Sequence, residues 1–200
     1  MIFFWIIAAY LIGSVPTGYL ITKALKGTDI REHGSGNPGA TNVIRVAGII
    51  PGIMTFIIDF LKGFVPVILA IRYFGNSLEI YWIIIGLAAL AGHMWTIFLG
   101  FKGGKGVATS AGIFFALIPI PTAAAFVLFW IVFTLTKRTV SISSIVAAIF
   151  LPVFSLFAHK PVIITLFAGC AAALIIFQHR SNIVKLLNGT ESSFKRGPNG

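Results

Sequence analysis

The sequence predicts an all-α integral membrane protein, a single polytopic domain over residues 1–200 with seven transmembrane helices. Three observations lead there. Hydrophobic residues make up 58% of the 200 and charged residues only 10%, with a mean hydropathy of +0.99. A soluble domain of this length cannot hide so much apolar surface, so the bilayer must be its main solvent. The apolar residues run continuously, without the period-two alternation of a membrane β-barrel. Lastly, twelve of the fifteen Lys and Arg residues fall in four hydrophilic breaks that alternate crossings place on one side.

The first span is expected over residues 2–24. The opening Met1-Ile2-Phe3-Phe4-Trp5 has no basic region and no small-residue cleavage site, so it reads as the span itself rather than a removed signal. Further spans are expected over residues 51–74 and 78–99. Residues 107–135 are broken by Pro119-Ile120-Pro121, and residues 140–157 and 161–187 complete the set.

The broken segment decides the topology. A single crossing would put Lys102 and Lys105 opposite Lys137 and Arg138. Two short helices turning at the prolines put all four on one side, as the positive-inside rule prefers. Seven crossings follow, with the N-terminus extracellular and the C-terminus cytoplasmic. Lys23, Lys26, Arg31, Arg45, Arg180, Lys185, Lys195 and Arg196 then join those four inside. Only Arg72 and Lys160 fall outside, and Lys62 lies within a span. The first helix of the pair, residues 107–117, would be only ~17 Å long at 1.5 Å per residue, against a core of ~30 Å. The glycine loop before it should therefore sink below the cytoplasmic surface, where protein or water must surround it.

The net charge of +10 and a pI of about 10.2 would suggest nucleic acid in a soluble protein. Here the cations sit at membrane boundaries, so orientation and anionic substrates explain them better, and no nucleic-acid partner is expected. The one cysteine, Cys170, excludes an internal disulfide and a cysteine-based metal cluster. The chain has five carboxylates, Asp29, Glu32, Asp59, Glu79 and Glu191, and four histidines without ligand spacing. Metal catalysis is thus poorly supported. No metal and no cofactor are expected. Asp59 and Lys62, three apart within a span, share a helix face and should neutralise each other; a proton or ion path is the alternative, though no second acid continues one.

Two breaks carry the chemistry. Gly34-Ser35-Gly36-Asn37-Pro38-Gly39-Ala40-Thr41-Asn42 combines glycines, whose amides can approach an anion, with hydroxyl and amide donors. Arg45, just beyond, can clamp phosphate through a forked pair of bonds. The bland alternative is a flexible turn. Gly100-Phe101-Lys102-Gly103-Gly104-Lys105-Gly106-Val107-Ala108-Thr109 resembles a P-loop but lacks its first glycine and its terminal hydroxyl. The physics still holds: Gly103, Gly104 and Gly106 leave amides bare at a helix N-terminus, and Lys105 adds a full charge. Positive-inside punctuation is the alternative there. A third cluster, His179, Arg180, Asn182, Lys185 and later Glu191, closes the last span. His179 and Asn182 share a helix face. His179 can act as a general base, as a donor to an anion, or as an interfacial residue. A covalent Ser35–His179 mechanism is disfavoured, because Ser35 lacks a nucleophile elbow and no acid orients the histidine.

Together these motifs closely resemble the bacterial acyl-phosphate:glycerol-3-phosphate acyltransferase family. The resemblance covers nearly the whole chain. It rests on the Ser35-to-Asn42 motif with Arg45, on Asp59 with Lys62-Gly63, and on Gly92-His93-Met94-Trp95. It rests also on the Gly103-to-Thr109 motif and on His179 with Asn182-Ile183. It implies seven spans with an external N-terminus, in a bacterial cytoplasmic (inner) membrane, with the active site on the cytoplasmic side. It implies acyl transfer from acyl phosphate to the 1-hydroxyl of glycerol 3-phosphate, giving lysophosphatidic acid and phosphate, with membrane lipids as surroundings. Ser35, Arg45, Lys105, His179 and Asn182 are then the expected catalytic residues. Gly36, Asn37, Gly39, Thr41, Asn42, Gly103, Gly104, Gly106, Thr109 and, by the resemblance alone, Ser141 are expected to bind substrate. Asp59, Lys62 and Glu191 are expected to be structural.

Acyl phosphate is a mixed anhydride, so its leaving group is already good. Two phosphates must lie close together, and Arg45, Lys105 and glycine amides can offset their repulsion. Holding hydroxyl and carbonyl at attack distance contributes up to roughly 7–11 kcal/mol. The proton acceptor stays open between His179 and a substrate phosphate oxygen, with the latter preferred because no carboxylate is placed as base. The competing class is a small-anion membrane transporter. Against it, the motifs cluster on one face and no charged chain crosses to the other. Acyl-chain preference and oligomeric state are not legible.

Overall fold

The computed structural model describes residues 1–75, 79–136 and 139–191. Lys137, Arg138, Lys195 and Arg196, on which part of the charge count rests, lie outside the described residues. Every regular element among the described residues is helical. Packing contacts divide these residues into two compact units, Met1–Ile113 and the stretch from Phe114 onward.

The first unit opens with α1 (Ile2–Ser14) and α2 (Thr17–Lys26), parted at Val15-Pro16. The two together make the first span expected over residues 2–24, with a break inside it that the hydropathy does not show. Pro16 explains the break: it has no N–H to donate, and it biases the residue before it out of the helical region. Val15 accordingly adopts φ −54°, ψ 116°. Its carbonyl is taken up by Lys62 Nζ at 2.5 Å, and the Ser14 carbonyl accepts from the Thr96 hydroxyl at 2.5 Å. A 3₁₀ turn (Ile30–Glu32) and the short α3 (Ala40–Ala47) lead into α4 (Ile49–Phe74). Then come α5 (Glu79–Met94), a second 3₁₀ turn (Ile97–Leu99) and α6 (Val107–Leu117).

Helix α1 packs along α5. Small residues let the two backbones approach, as in membrane helix pairs generally. A Cβ on Gly13 would meet the Ala89 carbonyl oxygen at 2.1 Å, and one on Gly92 would meet that of Tyr10 at 2.2 Å. The Tyr10 hydroxyl locks the crossing by donating to the Trp95 carbonyl at 2.8 Å.

The second unit holds α7 (Pro119–Leu135), α8 (Val140–Phe157), α9 (Val162–Gln178) and α10 (Arg180–Leu187), with α8 packed against both α7 and α9. The break between α6 and α7 falls at Ile118, as the prolines predict, and Pro119 takes the first helical position, where its missing N–H costs nothing. Inside this unit the Ser155 and Thr165 hydroxyls pair at 2.7 Å, and the Phe114 and Phe167 rings meet at a tilt of 45° with 4.9 Å between centroids. The expected last span, residues 161–187, is instead a pair bent by 58°. The bend sits at His179, whose backbone N–H is shared between the Ile175 and Ile176 carbonyls.

Large apolar side chains face outward on α1, α4, α7 and α9, among them Phe3, Ile53, Trp130 and Leu166. A bilayer, not water, solvates such a surface. By length and composition, residues 2–26, 49–74, 79–99 and 140–157 can each cross a membrane, and the bent pair can supply a fifth crossing. Helices α6 and α7, of 11 and 17 residues, are shorter.

Candidate functional site

The first polar motif is an ordered loop that folds on its own side chains. Asn42 is buried at 2% exposure. Its Oδ1 accepts the Ser35 N–H at 2.9 Å, and its Nδ2 donates to the His33 carbonyl at 2.9 Å and more weakly to that of Ile30 at 3.4 Å. Asn37 Oδ1 accepts the Gly39 N–H at 2.9 Å, a local turn that starts α3 at Ala40. Arg45 lies half-buried in the last turn of α3, and Ser35 is exposed. Ahead of the loop, Asp29 caps the 3₁₀ turn and grips Arg31 through Oδ2 at 2.6 Å. Side-chain and backbone hydrogen bonds from Arg31 hold the Asp29 carboxyl down to about 2, and the same pairing raises Arg31 above its ordinary value.

The second motif is pinned to the end of α5. The Gly103 N–H donates to the Met94 carbonyl and the Gly104 N–H to that of His93, both at 3.0 Å. The fit is tight. A Cβ on Gly104 would lie 2.2 Å from His93 Nε2, and one on Gly103 would lie 2.1 Å from the His93 carbonyl oxygen. Gly106 turns the chain into α6 with φ +80°, a left-handed conformation that side chains disfavour. Lys105 between them is half-buried. The Thr109 hydroxyl is fully buried and donates to the Asp59 carbonyl at 2.9 Å, binding α6 to α4.

Beneath both loops lies a small cavity of about 10 Å³, lined by Pro38 of the first motif and by Gly103 and Gly104 of the second. Its other walls include Ser14, Thr17, Asp59, Lys62, His93 and Thr96. Lys62 Nζ donates to Asp59 Oδ1 at 2.6 Å, and both side chains are 5% exposed. His93 Nδ1 stands 3.8 Å from the same carboxylate oxygen. The Ser14 and Thr17 hydroxyls are buried without a hydrogen-bond partner in the protein. The space matches about one water, which these polar walls suit.

In the second unit, Glu191 Oε1 accepts from Ser141 Oγ and from Asn182 Nδ2, each at 2.7 Å. His179 is buried at 2% exposure, and its Nδ1 contacts the Ile175 carbonyl at 2.8 Å. A carbonyl only accepts, so Nδ1 carries a proton, and in the neutral ring Nε2 is the acceptor atom.

The structure therefore gathers the predicted residues into two groups. Ser35, Gly36, Asn37, Gly39, Thr41, Asn42, Arg45, Gly103, Gly104, Lys105, Gly106 and Thr109 belong to the first unit, where the two loops share one cavity. Ser141, His179, Asn182 and Glu191 belong to the second. Asn37, Asn42 and Thr109 spend their side-chain oxygens on the protein's own backbone, and Ser141 on Glu191. Sequence reasoning did not single out Ser14, Thr17 and Thr96. Their one signal is hydroxyls recurring beside Pro16 and at the end of the third span.

The family described as "Glycerol-3-phosphate acyltransferase" matches residues 3–189. A glycerol-3-phosphate acyltransferase of Geotalea daltonii is 50% identical over 192 residues, 96% of each chain. One from Aquifex aeolicus is 47% identical over 193 residues, 96% of this chain and 98% of that one. Among solved structures, PlsY (YgiH), an integral membrane glycerol 3-phosphate acyltransferase in its glycerol 3-phosphate form, superposes with a TM-score of 0.91 at 45% identity. The match covers 97% of this chain and 96% of that one. The lysophosphatidic acid form of the same enzyme gives 0.89 at the same identity.

Proposed function

Since the chain belongs to the glycerol-3-phosphate acyltransferase family, we propose that it uses acyl phosphate to acylate the 1-hydroxyl of glycerol 3-phosphate. It is an integral membrane acyltransferase of phospholipid synthesis. In the reaction, the hydroxyl oxygen attacks the acyl carbonyl, an ester bond forms, and the bond from carbonyl carbon to phosphate oxygen breaks. Phosphate leaves, and the hydroxyl proton passes to a phosphate oxygen of the substrates.

The observation that carries the geometry is the cavity shared by Pro38, Gly103 and Gly104. Residues of both glycine-rich loops line it within one unit, which supports the reading that the two loops act together. Arg45 and Lys105 offset the repulsion between two phosphates, and the Gly103–Gly106 loop, held in place through the Gly103 and Gly104 amides, lets its backbone come close to the phosphate of glycerol 3-phosphate. The exposed Ser35 hydroxyl is offered to phosphate or to the developing oxyanion. In the second unit, Asn182 serves as a donor whose orientation Glu191 fixes.

Seven crossings of a bacterial inner membrane fit the charge pattern, with the N-terminus outside and the site on the cytoplasmic face. The chain break at Ile118 supports this reading, because it lets α6 and α7 turn back at the opposite face. Detergent-solubilised protein given both substrates tests the assignment. Lysophosphatidic acid and phosphate should form one for one. Phosphate flux through proteoliposomes without acylated product would instead identify a transporter.

A further inference from the structure

We propose that Asp59, Lys62 and His93 form a positioning device that sets where the Gly103–Gly106 loop lies and presents Lys105. Through that loop they tune the affinity for glycerol 3-phosphate without touching it. The inference rests on the reading that this loop holds the substrate's phosphate.

The imidazole of His93 is the floor of the loop. Its Nε2 lies where a Gly104 side chain would begin, 2.2 Å from that Cβ position, while its own carbonyl holds the Gly104 amide at 3.0 Å. The loop therefore rests on one residue through both ring and backbone. That ring is 9% exposed, and its far nitrogen faces Asp59 at 3.8 Å. Asp59 is in turn fixed by Lys62 at 2.6 Å. Lys62 also donates to the Val15 carbonyl at the break between α1 and α2.

The first motif reaches the same frame. Gly18 of α2 lies so close to Pro38 that a Cβ there would overlap the Pro38 carbonyl oxygen. One buried charge cluster thus ties the wall behind the first loop to the floor of the second. Helix packing alone requires none of this. The contacts of Gly13, Gly92 and Thr109 already join α1 to α5 and α4 to α6. A buried ion pair is weak evidence for stability, whereas fixing a unique arrangement is a use it suits.

The experiment measures kcat and both Michaelis constants for wild type, Gly104→Ala, His93→Ala and the double variant, with melting midpoints alongside. His93→Ala should raise the Michaelis constant for glycerol 3-phosphate by about tenfold and that for acyl phosphate by less than about threefold. Gly104→Ala adds a methyl that meets the imidazole, so removing the ring should relieve it. The double variant should bind glycerol 3-phosphate at least about tenfold better than the product of the single effects predicts. His93→Gln, which keeps most of the volume, carries the single-variant comparison should the alanine variant not fold. Multiplicative effects, or equal shifts in both Michaelis constants, would overturn the proposal. Wild-type protein that forms no lysophosphatidic acid would instead overturn the functional reading beneath it.

Discussion

The carboxamide oxygen of Asn42 accepts the backbone N–H of Ser35 at 2.9 Å, seven residues back along the chain. The same side chain donates to the carbonyls of His33 and Ile30. One buried amide thus closes the first glycine-rich loop, on which Ser35 is exposed. Asn42→Ala would remove the bonds to the Ser35 amide and to the His33 carbonyl, which keeps the Gly36 N–H, at roughly 0.5–1.5 kcal/mol for each bond lost. A lower melting midpoint should accompany weaker binding of both substrates, read by thermal denaturation in detergent and by steady-state kinetics.

The entry to that loop should be acid-sensitive in a defined direction. Asp29 is held down to about 2 by its bonds to Arg31. A carboxylate lowered in the folded state adds stability that is full above the unfolded value of roughly 4 and is lost as pH falls through about 2. The melting difference between wild type and Asp29→Asn should be constant above about pH 4 and shrink below it. The Arg31 side chain is 40% exposed, so added salt should reduce that difference at every pH.

Glu191 should matter as an acceptor more than as a charge. Its Oε1 holds both Ser141 and Asn182, and a glutamine keeps one oxygen there. Charge-assisted bonds are roughly twice as strong as neutral ones, so Glu191→Gln should show a modest loss of stability and turnover. Glu191→Ala, which removes the acceptor that both donors share, should lose substantially more of each. Melting curves and kcat of the two variants give the comparison.

Lys105→Met should lower kcat by roughly 10²–10³, as loss of one transition-state charge contact does. Its melting midpoint should stay near wild type, because the half-buried lysine sits on a loop and not in a helix core. Wild-type turnover in that variant would remove Lys105 from the mechanism.

Much of this was legible from local signals. Pro119 and Pro121 marked the α6–α7 break because proline acts on its own backbone. The α6 boundaries follow from glycine before Val107 and proline after Leu117. Lys105 stood out because it lies between two glycines, and Arg45 because it follows the glycine-rich polar motif by three residues. Contacts between distant residues were not legible. Nothing near Thr109 announces that its hydroxyl belongs to Asp59, 50 residues away. Asn42 looked like a ligand donor because its partners are backbone groups, which sequence does not display. His93 carried no spacing signal, and its place under Gly104 arises only once α5 and the glycine loop are folded together. The amphipathic α3 and α10 are too short, at eight residues each, to give a clear periodic pattern.

The central claim is that Arg45 and Lys105 serve paired anions at a single membrane face. Arg45→Cys and Lys105→Cys, each in a Cys170→Ser background, can be probed with a membrane-impermeant maleimide in intact spheroplasts and in inverted vesicles. Both positions should label in inverted vesicles and in neither case from outside the spheroplast. Labelling of the two from opposite sides would contradict the account.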